Sequence, residues 1–238
     1  MQAAMNTIEL ICQALRNAIM EQAIGTGTKL PEDAIGERFG VSRTIVRQAL
    51  ERLASEGLVD LKRNKGAFVA TPSWQDARDI FDLRIGAEKI VVSRLAGKLS
   101  ETEIIALEDH IDEQEKVHVT GKRLGIRLLT EFHILLADMT KSPVLIKSVR
   151  EACYRSNLIL SVYARPHSTE CGIAEHRAIV KGLAAGDAAT VVSLMEKHLD
   201  ALAERALIES DEKRDIKEIL APYAVELVDQ KARAVRST

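Results

Sequence analysis

Three histidines fall on three separate helical stretches of this sequence, each on the apolar side of its own stretch. His133 shares a face with Leu129, Leu136 and Ala137; His176 with Ile173, Ile179, Val180 and Leu183; His198 with Val191, Leu194, Met195, Ala201 and Leu202. Imidazole nitrogens bind divalent metals, and metal sites in helical bundles are assembled from side chains on facing helices. Spacing leaves two readings open. The three are either separate core histidines bonded to backbone, or one triad that meets inside a bundle.

Charged residues also interrupt apolar stripes. Arg84 lies with Ile80, Ala87 and Val91, and Glu88 follows one turn later. An i,i+4 ion pair at a bundle edge explains them, and so does an arginine held at a cavity to take a carboxylate with two charge-assisted bonds. Arg150 and Asn157 share a stripe with Ile146, Val149, Cys153 and Leu160 and are the weaker candidates for the same role.

A second kind of chemistry sits near the N-terminus. Arg43, Thr44, Arg47 and Gln48 occupy the first two turns of a predicted helix whose apolar stripe is Ile45, Val46, Ala49, Leu50 and Leu53. Ser42 suits its N-cap and Gly57 its C-terminal stop. Arginine reaches guanine O6 and N7 with two bonds and glutamine does the same for adenine, so these residues suit base reading in a major groove. From residue 41 to 66 the basic groups are Arg43, Arg47, Arg52, Lys62, Arg63 and Lys65, against acidic Glu51, Glu56 and Asp60, in a chain of formal net charge −2. A locally basic element in a mildly acidic protein predicts a small, defined phosphate footprint.

The elements that must position these groups are legible around them. After Gly57 the period switches to two: Leu58, Val59 and Leu61 lead to the turn Arg63-Asn64-Lys65-Gly66, and Phe68 and Val69 return. Ile8, Ile11, Leu15, Ile19 and Ile24 mark a first helix, Pro31 fits the N1 position of a short second one ending near Phe39, and Gly40-Val41 turns into the reading helix. Helix, helix, turn, helix and wing make a winged helix-turn-helix over residues 1–72. Beyond Thr71-Pro72-Ser73 helical periodicity takes over. Helices are expected from Ser73 to about Leu99, from the capping box Ser100-Glu101-Thr102-Glu103, over roughly 121–140, from Ser142-Pro143 to about Ala164, up to Gly186, and from Asp187 to about Leu207. A short seventh fits before Pro222. The expected architecture is mainly α: the winged domain, an antiparallel bundle of six or seven helices over residues 73–222, and a frayed tail over 223–238.

At 238 residues the chain suits two ordinary domains. No apolar run approaches a membrane span, and Met1 to Leu10 lacks the basic start and apolar core of a signal peptide, so a cytoplasmic protein without a membrane partner is expected. Cys12, Cys153 and Cys171 are scattered and odd in number, which supports neither a disulfide framework nor a zinc ribbon.

Together these residues resemble the GntR-type transcriptional regulators, in the FadR-like subgroup with an all-helical ligand domain, the FCD domain. The likeness runs from about Ile8 to Pro222. It is carried by Val41-Ser42-Arg43-Thr44, Val46-Arg47, Ala49-Leu50, Glu56-Gly57-Leu58-Val59 and Gly66-Ala67-Phe68-Val69, then by Phe132-His133, Glu175-His176, Gly186-Asp187-Ala188 and Met195 with His198-Leu199. The resemblance implies a homodimer on an inverted-repeat DNA operator, a small organic-acid effector in the helical domain, and a divalent metal held by His133, His176 and His198. Three positions depart from the family pattern. Ile45 stands where proline is frequent and Gln48 where glutamate is frequent. Leu129 stands one turn before His133, where metal-binding members commonly carry an aspartate; three neutral imidazoles can still hold zinc or nickel, with one anionic ligand fewer.

The expected function is therefore ligand-responsive repression of a catabolic or transport operon, not enzymatic catalysis. Ser42, Arg43, Thr44, Arg47, Gln48 and Arg52 are expected on DNA from the helix and Lys62, Arg63, Lys65 and Gly66 from the wing, with Arg84, Arg150 and Asn157 on the effector. Two rivals fit parts of the same sequence: a metal-dependent hydrolase with an appended DNA-binding domain, and an architectural DNA-binding dimer with no effector.

Overall fold

The computed structural model describes residues 7–120, 122–163 and 170–206. The expected loop Arg165–Thr169, the seventh helix and the tail fall outside them. The element order is α1 (Thr7–Met20), β1 (Lys29–Leu30), α2 (Glu32–Phe39), α3 (Arg43–Ser55), β2 (Val59–Lys62), β3 (Gly66–Val69), α4 (Trp74–Leu95), α5 (Glu101–Thr120), α6 (Lys122–Met139), α7 (Pro143–Tyr163), α8 (Glu170–Ala185) and α9 (Ala188–Ala206). Among the described residues no helix is long and apolar enough to cross a membrane.

In the N-terminal part, Ile11, Leu15 and Ile19 of α1 face Val46, Ala49, Leu50 and Leu53 of α3, and Leu58, Val59, Ala67 and Val69 close the core from the wing. The wing is a three-stranded antiparallel sheet of order β1-β3-β2, with Lys29 opposite Phe68 and Lys62 opposite Gly66. Two residues are too few to carry a period-two signal, so β1 was not expected from sequence. Pro31 takes the N-cap position of α2 rather than N1. Ser42 sits at the N-cap of α3 in extended conformation, but its hydroxyl makes no capping bond and remains exposed. α1 stops at Met20, four residues before Ile24, which still packs against the core.

The remaining six described helices form the bundle. α4 packs on α9 and α7, α5 on α6 and α8, α6 on α7, and α8 on α9. Ser73 and Asp76 make a complete capping box for α4, Ser100 and Glu103 do so for α5, and the Thr190 amide donates to Asp187 at the start of α9. α4 ends at Leu95, short of Leu99, because Gly97 turns left-handed (φ 68°) and donates its amide to the Leu183 carbonyl. A Cβ on Gly97 would come within 3.1 Å of the Gly186 Cα, so the ends of α4 and α8 meet only through two glycines.

The two parts share one continuous apolar cluster. Arg127 of α6 donates to Glu21 just beyond α1 at 2.9 Å. The Arg16 guanidinium grips Glu56 with two bonds of 2.9 and 2.8 Å and stands 5.8 Å over the Tyr154 ring of α7. Beside it, Arg155 lies flat against Gly57, where a Cβ would come 2.9 Å from the arginine's Cγ and Cδ. Gly57 is also left-handed, with φ 78°. The C-terminal end of α3 thus rests directly on α7.

Candidate functional site

The bundle brings His133 (α6), His176 (α8) and His198 (α9) together. All three are buried, and their ligand nitrogens lie within 4.8 Å of one another. Each Nδ1 is held from behind by an acceptor. Glu88 Oε2 lies 2.5 Å from His133 Nδ1, Glu175 Oε2 lies 2.5 Å from His198 Nδ1, and Gln114 Oε1 lies 3.0 Å from His176 Nδ1. Gln114 is oriented by its own amide, which donates to the Leu128 carbonyl at 3.3 Å.

These partners fix the tautomers. Burial works against the Glu88 charge, but His133 and Arg84 beside it bring its carboxyl down to about 2, so it accepts. Burial pushes His133 down to about 4 and His176 well below the ordinary histidine value, so both rings are neutral near pH 7. The hydrogen bond from His198 holds the Glu175 carboxyl below its usual value. With each Nδ1 committed to its partner, the Nε2 atoms converge. His133 Nε2 and His198 Nε2 face each other at 3.2 Å, and His176 Nε2 is buried with no hydrogen-bond partner among the described residues. An orphaned acceptor is costly in a protein interior. A bound cation removes that cost, and acceptors behind ligating histidines are the ordinary support of a metal site. The donor set therefore fits a divalent metal.

Arg84 continues the polar cluster. Its Nε donates to Glu88 Oε1 at 2.7 Å and its Nη1 to Ser156 Oγ at 2.9 Å. The i,i+4 pair expected from sequence is present, but it lies in the interior, with the Arg84 side chain 3% exposed, rather than at the bundle edge. Asn157 is buried one residue beyond Ser156. Its Nδ2 donates to Thr130 Oγ1 at 3.3 Å, and its Oδ1 has no partner among the described residues. Arg150 is not brought into this cluster; half-exposed, it donates to Asp138 at 2.9 Å. Leu129 lies half-buried one turn before His133 and packs toward α8, where a Cβ on Gly172 would sit 3.7 Å from its Cδ2. Cys153 points into the cluster, 3.8 Å from Glu88 Oε1, and burial raises its thiol to about 12.

Gln114 was missed in the sequence reading, although its signal was there: it follows Leu107 and Ile111 at helical spacing on the buried side of α5. Glu175 was visible only as a neighbour of His176. Its bond to His198 commits it to holding a ring, not to activating water.

On the N-terminal part, Ser42, Arg43, Thr44, Arg47 and Gln48 form one exposed edge of α3. Arg47 is held from the side by Glu32 of α2, through Nε at 3.1 Å and Nη2 at 2.8 Å, and Arg43 pairs with Asp33. Arg52 departs from this edge, reaching Glu9 of α1 at 2.7 Å. The wing turn exposes Arg63, Lys65 and Gly66, with Asn64 and Gly66 at positive φ, while Lys62 lies over the Phe68 ring at 4.9 Å.

Residues 7–69 match the family described as bacterial regulatory proteins, gntR family, and residues 79–201 match the FCD domain. The chain is 29% identical over 214 residues to the Uxu operon regulator of Haemophilus influenzae, covering 82% of this chain and 79% of that one. It is 28% identical over 199 residues to the HTH-type transcriptional repressor RspR of Escherichia coli, covering 82% and 86%. Among solved structures it is similar to E. coli McbR/YncC, with a TM-score of 0.73 at 17% identity over 83% of this chain and 95% of that one, a likeness of fold.

Proposed function

The chain belongs to the GntR family of bacterial regulatory proteins and carries an FCD domain, and from that membership we propose a homodimeric repressor whose DNA affinity is set by an organic acid bound beside a divalent metal. That it is a transcription regulator and not an enzyme follows from the family. The observation carrying the rest is the convergence of three imidazole Nε2 atoms, two of them 3.2 Å apart, inside a bundle that rests on the reading helix.

His133, His176 and His198 would hold the metal, zinc or nickel, each kept in its ligating tautomer by Glu88, Gln114 and Glu175. When bound, the metal supplies a positive centre for a carboxylate. Arg84 supplies a second one, partly offset by Glu88. Asn157 Oδ1 lacks a donor, which favours an acid that also carries a hydroxyl. The cluster is closed to solvent, so the acid enters only if helices part. An effector that binds the parted arrangement selectively must shift the protein toward it.

α7 is the natural route to DNA. Cys153, Ser156 and Asn157 face the buried cluster, whereas Tyr154 and Arg155 touch Arg16 and Gly57. The linker is tied to the same helix, since Tyr163 Oη donates to the Pro72 carbonyl at 3.3 Å, and Pro72 is the proposed hinge. On DNA, Arg43, Arg47 and Gln48 would read bases, with Ser42, Thr44, Lys62, Arg63, Lys65 and Gly66 on the backbone. Leu83 and Ile90, exposed on one face of α4 with Gly86 between them, offer an apolar patch for the second copy. An architectural dimer without effector would have no use for two orphaned buried acceptors.

The test is a duplex enriched by the full-length protein from a randomised pool, titrated with and without hydroxycarboxylic acids in the presence of zinc. An acid that raises the apparent stability of the protein should also change duplex affinity. An acid that stabilises the protein and leaves DNA binding untouched would contradict the coupling.

A further inference from the structure

The first turn of α2 places acid against the two arginines of the reading edge. Glu32 takes Arg47 through Nε and Nη2, at 3.1 and 2.8 Å, which is the side of the guanidinium. Asp33 meets Arg43 through Nε. An acidic pair beside a DNA-facing edge opposes phosphate binding, so its presence needs a physical account.

The geometry supplies one. A guanidinium has two forks, one at its side formed by Nε and Nη2, and one at its end formed by Nη1 and Nη2. Glu32 occupies the side fork with both carboxylate oxygens and leaves the end fork whole. Two parallel N–H groups at that end match guanine O6 and N7. Arg47 is 59% exposed and would otherwise sample many rotamers, whereas the Glu32 carboxylate, 27% exposed and anchored at the first turn of α2, gives it a fixed plane. Fixing a long side chain before binding removes an entropic cost that is otherwise met on the DNA.

We propose that Glu32 is a positioning residue for DNA sequence recognition: it presents the end fork of Arg47 to a guanine and makes an unmatched phosphate backbone a poorer partner. Glu32 thereby raises discrimination while lowering general affinity. Asp33 meets Arg43 without the two hydrogen bonds that Glu32 makes to Arg47, and contributes only the second effect.

This rests on the reading that α3 binds DNA bases, and the test separates the two. Full-length protein is used to enrich a randomised duplex pool. Arg47→Ala then identifies the base position that Arg47 reads, and affinities are measured for the enriched duplex, for the same duplex with 7-deazaguanine there, and for a scrambled duplex. Glu32→Gln keeps the shape but removes the charge. It should cut the preference for guanine over 7-deazaguanine by roughly fivefold or more, within the range of one bidentate base contact, and should strengthen binding to the scrambled duplex. Asp33→Asn should strengthen scrambled binding and leave the guanine preference intact. If Glu32→Gln leaves the preference unchanged, or strengthens enriched and scrambled binding by the same factor, Glu32 is only a competitor for Arg47 and the proposal fails. If wild-type protein enriches no sequence, base reading by α3 fails first.

Discussion

His133 and His198 approach each other Nε2 to Nε2 at 3.2 Å, each with its Nδ1 committed to a glutamate. His133, neutral because it is buried and with its Nδ1 committed to Glu88, offers only a lone pair at Nε2. His176 Nε2 adds a second unmatched lone pair from α8, and together they favour a bound cation.

Glu88 links that arrangement to Arg84. It accepts from His133 through one oxygen and from Arg84 through the other, with both charged side chains almost fully buried. Glu88→Gln leaves the arginine's charge in the interior without a counter-ion. Loss of about 3 to 5 kcal/mol of folding stability is expected from breaking such a pair, read from urea denaturation. A loss below about 1 kcal/mol would mean that solvent reaches Arg84.

The neutral histidines set an acid limit on the metal-stripped protein. His133 is held at about 4 when folded, against an ordinary value near 6.5, because it is buried. The unfolded chain therefore takes up this proton first. Stability from this group is complete above about pH 6.5 and is lost as pH falls from there toward 4. Urea midpoints at pH 7.5 and 5.5 should differ in that direction, and His133→Gln should narrow the difference. An unchanged difference would place the titration elsewhere.

How much of this was readable in the sequence depends on the kind of signal. The three histidines and Arg84 were found because each breaks an apolar helical stripe, a purely local pattern. Their meeting is a property of packing between α4, α6, α8 and α9, which no local pattern contains. Arg150 shows the limit from the other side: it shares a stripe with Asn157, but α7 has two packed faces, and Arg150 falls on the edge between them, paired with Asp138. The wing's third strand and the Glu32–Arg47 contact were invisible for a similar reason, one because it is two residues long, the other because it joins two helices across a turn.

Arg47 carries the most specific DNA prediction. Arg47→Ala should weaken binding to the enriched duplex by roughly 1 to 3 kcal/mol and relax one base position, as expected for a lost bidentate contact. An unchanged titration curve would displace α3 from the proposed register.

α7 should carry the coupling. Arg155 lies against Gly57 and away from the histidines. Arg155→Ala should leave zinc binding intact while reducing any effect of an effector acid on duplex affinity. Equal effects in wild type and variant would move the route to another element. At the partner position, Gly57→Ala combines a positive φ with a Cβ clash, and should cost at least the roughly 1 to 2 kcal/mol of left-handed strain.

The convergence of three imidazoles is tested most directly by calorimetric titration of zinc into the metal-stripped, full-length protein, beside His176→Ala. The wild-type chain should bind one zinc per chain with heat that disappears in the variant, and should gain thermal stability on binding. A folded wild-type protein that takes up no zinc or nickel, or a His176→Ala variant that binds as well as wild type, would contradict a metal held by His133, His176 and His198.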